Sequence, residues 1–417
     1  MPFGESGATD PMRLENVESI PVGTRLGNSI FARTGRLLLR QGVALTAPYI
    51  SSLREMGVPA IYVHDDDTSD IEIPQPVAPE TRALAQANLA HTFESVAKIA
   101  NGFKQATRGL AAEHLKSDRF AKAASSIAND EGIKRIFTDV NSLLDQLMDQ
   151  NVLVGLNSIK THDHYTFQHS IDVTIMSIVL AKKANWPEDR IRAFGIGCIL
   201  HDIGKVVIEP AVLNKTGPLT NEEFETVRMH PAVGRQMIRA MAPSLGYLVP
   251  QVAYQHHERE DGTGYPRGLR GEGSPGARSG PRIHEFGSLA AVADVYDALT
   301  SHRCYRPGWT PERAIQYIAD LAGTKFSPRA VRILLKAVAR FPVCSTVRVL
   351  NGKHAGSTGV VAAVPIRDLA RPKVRLLHNP FGARMNPVEI DLAIQRDITI
   401  QAISPGERKL PQAAMAA

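Results

Sequence analysis

The stretch GIGCILHDIGK at 195–205 places an adjacent histidine and aspartate, His201 and Asp202, directly after an apolar run. The segment ends at Gly204, which is typical of a helix stop. Burying an imidazole beside a carboxylate is costly unless the two groups are paired or bind a metal ion. The sequence therefore predicts a buried polar site at the end of this segment.

The same pattern, with polar side chains at the end of an apolar helical segment, recurs further along the chain. The doublet His256-His257 follows the segment LGYLVPQVAYQ, and Asp294 follows LAAVA. A single histidine on a helix is usually an ordinary hydrogen-bonded side chain, so the prediction depends on the whole set. The candidate metal ligands are His169, His201, Asp202, His230, His256, His257 and Asp294.

This set contains imidazoles and carboxylates but no thiolate. Such ligands suit Fe, Mn or Zn in a catalytic site better than a thiolate-bound structural zinc. Seven ligands are too many for one ion that must keep an open position, so we predict two divalent ions, with Fe or Mn preferred. Asp202 is the natural bridge because a carboxylate has two oxygens. Two such ions can activate a shared water and clamp a phosphate.

Basic side chains near these ligands are candidates for contacts with a phosphate. Lys205 follows Asp202 by three residues, and Arg303 and Arg306 follow the Asp294 segment. On spacing alone, a solvated side chain is an equally good interpretation for Lys205 and a somewhat better one for Arg303 and Arg306.

Apolar periodicity divides the chain into four predicted parts. They are a small α+β module at 13–65, a linker and helical connector at 66–155, a helical domain with the candidate ligands at 156–342, and a small all-β unit at 343–405. The chain is thus predicted to be mainly α. The helices expected in the third part are Thr166–Ala184, Asp189–Leu200, Asn221–Met241, Leu245–His257, Ser288–Ser301 and Pro311–Ala322, with a long loop at Asp261–Phe286.

Composition excludes several classes of protein. The 417 residues are 43% hydrophobic and 22% charged, which are globular values. The longest apolar stretch, Val173–Ala181, is far shorter than the roughly 20 residues that span a membrane. Three widely spaced cysteines fit a reducing compartment. We expect a soluble, cytoplasmic protein that binds neither a membrane nor a nucleic acid polymer, since no focused basic run accompanies the net charge of +6.

Five motifs together resemble the HD-GYP family. They are YTFQHSIDV at 165–173, HDIGK at 201–205, HPAVG at 230–234, HHEREDGTGYP at 256–266 and ADVYDALTSHRCYRP at 293–307. Their order and spacing match over roughly 155–340, so the third part is expected to be an HD-type all-helical catalytic domain. The resemblance implies hydrolysis of the bacterial second messenger cyclic di-GMP.

The resemblance also implies roles for individual residues. All seven candidate ligands match metal-ligand positions, with Asp202 as the bridge, and Asp202 and Lys205 as catalytic residues. The substrate-binding residues that it implies are Lys205, Gly264, Tyr265, Pro266 and Arg303, and Arg306 is a further candidate on spacing alone. The GYP loop is further expected to contact a diguanylate cyclase or another signalling protein.

Two features depart from the family pattern. Tyr165 occupies the place where members with three metals carry a glutamate, which favours two metals here. The stretch between Pro266 and Asp294 is about nine residues longer than usual, with GSPGARSGPRIHEF at 273–286 as the extra material. We expect this extended loop at 271–286 to affect substrate affinity more than catalysis.

The sequence therefore predicts metal-dependent hydrolysis of cyclic di-GMP to pGpG and/or GMP, with a metal-activated hydroxide as nucleophile. One alternative is an HD-type phosphohydrolase acting on a nucleotide or on a different cyclic dinucleotide. The other is a non-catalytic module that responds to cyclic di-GMP or binds a partner protein. The helical stretch at 80–156 is compatible with a homodimer but has no sustained heptads.

Overall fold

The computed structural model confirms a mainly helical chain with strands at both ends. It describes residues 12–31, 37–56, 58, 60–64, 68, 70–71, 74–106, 131–148, 150, 152–153, 165–215, 217–272, 280–301 and 308–403. In that part of the chain, no helix is long and apolar enough to cross a membrane.

The N-terminal elements form a small α+β unit, as predicted. They are β1 (Met12–Asn16), β2 (Ile30–Phe31), β3 (Leu37–Leu39), α1 (Ala47–Glu55) and β4 (Ala60–His64). Strand β1 pairs with β4, and β2 pairs with β3, both antiparallel. Helix α1 begins after Thr46, whose hydroxyl accepts a hydrogen bond from the Tyr49 N–H. Ile50 and Leu53 on α1 pack against Ile61 and Val63 on β4.

Two helices fall in the predicted connector: α2 (Pro79–Ala106) and α3 (Glu131–Leu147). Leu89 and Val96 of α2 and Val140 and Leu143 of α3 lie in the same hydrophobic core as the helices that follow. These two helices therefore pack against the next part of the chain. The domain boundaries themselves stay predictions.

The central helices carry the candidate ligands. They are α4 (Tyr165–Lys183), α5 (Glu188–Ile199), a 3-10 helix (Ile203–Val207), α6 (Pro210–Leu213), α7 (Asn221–Val227), α8 (His230–Met241), a 3-10 helix (Pro243–Leu245), α9 (Val249–Gln255), α10 (Glu285–Thr300), α11 (Pro311–Asp320) and α12 (Pro328–Ala337). The predicted helix Leu245–His257 is shorter than expected, and α12 was not predicted.

The prediction of a single helix over Asn221–Met241 is wrong, because the helix is interrupted between Val227 and His230. Pro231 has no backbone N–H, and its ring clashes with the carbonyl four residues earlier, which is that of Val227. Helix α7 therefore ends at Val227, and a second helix begins with Pro231 in its first turn. The break places His230 at a helix start.

The C-terminal part of the described chain forms a five-stranded antiparallel sheet. Its strands are β5 (Thr346–Val349), β6 (Thr358–Ala363), β7 (Lys373–His378), β8 (Arg384–Asp391) and β9 (Ile400–Ala402), in the spatial order β8-β7-β6-β5-β9. The sequence did not predict β8, which contains Pro387. This strand lies at an edge, and Pro387 falls where the pairing with β7 is irregular, so its missing N–H is tolerated.

The N-terminal module packs against the C-terminal sheet. Successive residues of a strand face opposite sides, and Tyr62 of β4 leaves the N-terminal core to contact Val360 and Leu377 of the C-terminal sheet. Arg375 on β7 forms a two-pronged ion pair with Asp70, with 2.6 Å between Nη2 and Oδ2. The sheet therefore holds the N-terminal module in place.

A buried carboxylate between α2 and α3 makes stability depend on pH. Burial raises the pKa of Asp139 to about 6, although the amide of Asn88 donates to both its oxygens at 3.0 and 3.1 Å. Because the folded state holds this proton more tightly than the unfolded state, the group adds stability as pH falls from about 6 toward 4.

We expect Asp139→Asn to stabilise the protein at pH 8 by about 1–2 kcal/mol, with the gain vanishing near pH 4. Urea unfolding at several pH values measures this. Asp145→Asn, at an exposed position of the same helix, is the matched control. A pH-independent effect would contradict the assigned pKa.

Candidate metal centre

Five elements bring the seven candidate ligands together in the helical core. His169 lies on α4, His201 and Asp202 follow α5, His230 begins α8, His256 and His257 follow α9, and Asp294 lies on α10. Except for the half-buried His257, all are buried. The structure thus gathers the complete predicted set.

Three of these histidines share one local device. His201, His230 and His256 lie at helix ends, where backbone carbonyls have no partner within the helix. The Nδ1 of His201 is 2.7 Å from the Cys198 carbonyl oxygen. The Nδ1 of His230 is 2.7 Å from the Val227 carbonyl oxygen, which Pro231 cannot reach with an N–H.

The Nδ1 of His256 is similarly 3.0 Å from the Ala253 carbonyl oxygen at the end of α9. A carbonyl can only accept, so Nδ1 carries the proton in each ring. This fixes the tautomer and leaves the Nε2 lone pair free to bind a metal ion.

His169 is held differently, because it lies within α4 where the carbonyls are already used. Its Nδ1 is 2.6 Å from Oδ2 of Asp297, and its Nε2 is 3.0 Å from Oδ1 of Asp294. Both aspartates lie on α10, three residues apart, and therefore on one face of that helix. Asp297 therefore orients the His169 ring through Nδ1, and Asp294 contacts the same ring at Nε2.

Asp202 lies at the centre, and its two oxygens face two different groups. Oδ1 is 3.4 Å from Nε2 of His230 and 3.8 Å from Nε2 of His256. Oδ2 is 3.3 Å from Nε2 of His201 and 3.9 Å from Nε2 of His169. The donor atoms of His230, His256 and His257 lie within 4.8 Å of one another, as do those of His169, His201 and Asp202. Either group could hold a metal ion.

The close approach of two backbones makes this arrangement possible. Gly204 lies against the start of α8, where an added Cβ would be only 2.0 Å from the carbonyl oxygen of His230. Any larger residue would push His230 away from Asp202. The glycine in the HDIGK motif is therefore required for packing between the two ligands.

Burial keeps most of the imidazoles neutral. It lowers the pKa of His230 to about 3, despite the opposing charge of Asp202, and that of His256 to about 4, with His201 adding to the effect. Burial, together with His256 and His230, lowers the pKa of His257 well below its usual range. Neutral rings are the form that binds metals.

The carboxylates are kept ionised. Burial alone would raise the pKa of Asp202, but His201 and Lys205 outweigh it and hold that pKa well below its usual range. Burial alone would also lower the pKa of His169, but hydrogen bonds to Asp294 and Asp297 raise it to about 9. The two aspartates thus stabilise a positive charge at this point of the site.

The donor set fits divalent cations. Among the described residues, Nε2 of His201 and Oδ1 of Asp202 are buried and make no hydrogen bond. Buried polar atoms without a partner are unfavourable, and a coordinated cation would satisfy both. Imidazole and carboxylate ligands suit Fe, Mn or Zn.

Lys205 lies at the rim of this cluster. Its Nζ is 2.6 Å from Oδ2 of Asp202, and its side chain is 27% exposed. Lys205 therefore contacts the central carboxylate, and its role in binding a phosphate stays a prediction.

The GYP loop is anchored by a buried carboxylate. Glu258 accepts hydrogen bonds from the backbone N–H groups of Arg267 at 2.8 Å and Leu269 at 2.7 Å. At Gly264 an added Cβ would lie 2.4 Å from the Arg259 nitrogen, so only glycine fits. The next residue, Tyr265, donates its N–H to the His257 carbonyl at 3.1 Å, and a cis bond joins it to Pro266.

Some predicted features lie outside the described residues. Arg303 and Arg306 are among them, as are residues 273–279 of the extended loop and the side chain of Tyr165. Their predicted roles stay predictions.

Sequence reasoning missed Asp297 and Glu258. The signal for Asp297 was its position three residues after Asp294, one helical turn further along the same face. Glu258 directly follows the histidine doublet but contacts residues 9 and 11 positions later, and no local pattern reveals such contacts.

We expect Asp297→Ala to weaken metal binding by about 10–100-fold, because His169 loses the group that orients its ring. Asp297→Asn keeps an acceptor for Nδ1 and should lose less. Titration of the metal-free protein with Mn²⁺, followed by thermal unfolding, measures both. Wild-type binding by the alanine variant would show that Asp297 does not position His169.

We expect Glu258→Gln to loosen the GYP loop, because an amide has one acceptor oxygen for two buried N–H groups. Trypsin should then cleave faster after Arg259 and Arg267. Limited proteolysis with mass spectrometry measures the rate. Glu272→Gln, at an exposed position on the same loop, is the matched control; equal rates in the two variants would argue against the anchor.

Comparison with known proteins places this site in a family. Residues 153–330 match the HD domain family. The chain is 32% identical over 369 residues to a cyclic di-GMP phosphodiesterase of Pseudomonas aeruginosa, covering 87% of this chain and 81% of the relative. It is 36% identical over 209 residues to a cyclic di-GMP phosphodiesterase response regulator of Xanthomonas campestris, covering 46% and 53%.

A more distant relative acts on a different cyclic dinucleotide. The chain is 29% identical over 202 residues to a 3'3'-cGAMP-specific phosphodiesterase of Vibrio cholerae, covering 48% of this chain and 37% of the relative. The match to the Pseudomonas enzyme extends over most of both chains and includes the whole cluster described above. The chain therefore belongs to the HD-GYP family of metal-dependent, HD-domain phosphodiesterases.

Proposed function

We propose that this protein hydrolyses cyclic di-GMP at a dinuclear metal site. The observation that carries the proposal is the position of Asp202, whose oxygens face one group of imidazoles each. That arrangement suits a bridging carboxylate between two ions. Fe or Mn is the proposed metal, and the imidazole and carboxylate donors fit either ion.

Two divalent ions held there would supply positive charge for the phosphate and would make water a stronger nucleophile. The protein's own groups do the rest. Asp202 and the oriented histidines fix the positions of the charges before substrate binds, and Lys205 offers an ammonium group to a phosphate oxygen. The surrounding helices exclude bulk water, which strengthens each of these interactions.

The product follows from how many phosphodiester bonds are cleaved. Addition of one water opens the ring and gives linear pGpG, and a second hydrolysis gives GMP. Cyclic di-GMP is the proposed substrate because the relative that covers most of the chain is named for it. The Vibrio relative makes 3'3'-cGAMP the rival substrate.

Several sequence predictions belong with this proposal. They are a signalling partner at the GYP loop, a homodimer, a cytoplasmic location and substrate contacts by Arg303 and Arg306. The half-buried, anchored Tyr265 supports the loop as a contact surface.

Turnover of cyclic di-GMP by protein purified anaerobically with Mn or Fe tests the proposal, with products separated by chromatography. Asp202→Ala should lose at least about a thousandfold in kcat, because both ligand groups lose their shared partner. Asp189→Ala, at an exposed position on α5, should keep wild-type activity. Absence of turnover by protein shown to hold two metals would contradict the proposal and favour a non-catalytic signalling module.

A further inference from the structure

An exposed aromatic side chain lies beside the GYP loop. Phe224 on α7 is 45% exposed. Its ring centre is 6.3 Å from that of Tyr265, at an interplanar angle of 79°. The two rings therefore meet edge to face.

A guanidinium group completes this surface. The Cζ of Arg228 is 5.3 Å from the ring centre of Tyr265 and 5.9 Å from that of Phe224. Both distances fall in the range of cation–π contacts. Nη1 of Arg228 is also 2.7 Å from Oε1 of Glu225, and its side chain remains 37% exposed. The ion pair and the ring contacts therefore hold the guanidinium of Arg228 in place, and the side chain stays partly open to solvent.

The surface is continuous with the candidate metal centre. The ring of Tyr265 stacks on that of His257 with 4.8 Å between centres and 29° between planes. His257 is itself one of the three histidines whose donor atoms cluster near Asp202. A row of rings therefore runs from the ligand cluster outward through His257 and Tyr265 to Phe224.

We propose that Phe224, Tyr265 and Arg228 form a guanine-binding platform that selects the substrate, an inference that rests on the proposed cyclic dinucleotide hydrolysis. In this proposal, a base linked to a phosphate at the candidate metal centre stacks on the exposed ring of Phe224. Aromatic side chains bind any base by stacking, which supplies affinity without selectivity.

Selectivity comes from Arg228. A guanidinium donates two hydrogen bonds to O6 and N7 of guanine, which are both acceptors. Adenine carries an amino group at position 6. This group is a hydrogen-bond donor, so it cannot accept a hydrogen bond from the guanidinium. The platform therefore favours guanine over adenine. It also gives α7, which holds none of the seven candidate ligands, a role in recognition.

Two substitutions separate selectivity from stacking. Arg228→Gln should raise KM and Kd for cyclic di-GMP about tenfold and shift preference toward cyclic di-AMP, because glutamine pairs with adenine instead. Its kcat should stay within about twofold. Phe224→Leu should weaken all cyclic dinucleotides alike, whereas Phe224→Tyr should restore binding. Arg239→Gln, at an exposed position in the last turn of α8, is the control.

The measurements are steady-state kinetics and calorimetric titration with cyclic di-GMP, 3'3'-cGAMP and cyclic di-AMP. Unchanged preference in Arg228→Gln, in protein that binds and cleaves normally, would overturn the platform. Guanine-selective binding that is lost in Arg228→Gln, in protein that does not cleave, would support the platform and refute the proposed hydrolysis. Wild-type protein that binds none of the three would refute both.

Discussion

The arrangement of the central helices depends on the contacts of the Asp202 carboxylate. Its two oxygens must each face a different set of imidazoles while the group stays buried and ionised. That requirement needs five separate elements to converge and needs Gly204 to admit the start of α8. A buried carboxylate without such partners would be strongly destabilising, so the helices around it are arranged as much by charge as by apolar packing.

Helix ends provide the precision of this site. His201, His230 and His256 each direct Nδ1 at a backbone carbonyl at a helix end, and this contact fixes the ring. Pro231 creates one of these ends, since it interrupts the helix at the carbonyl that His230 then uses. The carbonyls are backbone groups, so the ring orientation does not depend on a second side chain. His169, within a helix, has no such carbonyl and needs Asp297.

The N-terminal and C-terminal parts of the molecule are also joined by side chains that face more than one neighbour. β4 presents Ile61 and Val63 to its own module and Tyr62 to the C-terminal sheet. Helices α2 and α3 join the central core, so the N-terminal half is packed against the elements that hold the ligands. Beside the candidate metal centre, the anchored GYP loop and the C-terminal end of α7 bring Tyr265, Phe224 and Arg228 together.

The sequence by itself determined the helical class, most helix positions and all seven candidate ligands, because periodicity and residue chemistry are local properties. It misjudged the helix over Asn221–Met241 and did not predict α12 or β8, since proline effects and edge strands depend on neighbours. Only the tertiary structure decided which oxygen of Asp202 faces which imidazole, that Asp297 supports His169 across 128 positions, and that the N-terminal module packs against the C-terminal sheet. These contacts join residues far apart along the chain, and no local pattern specifies them.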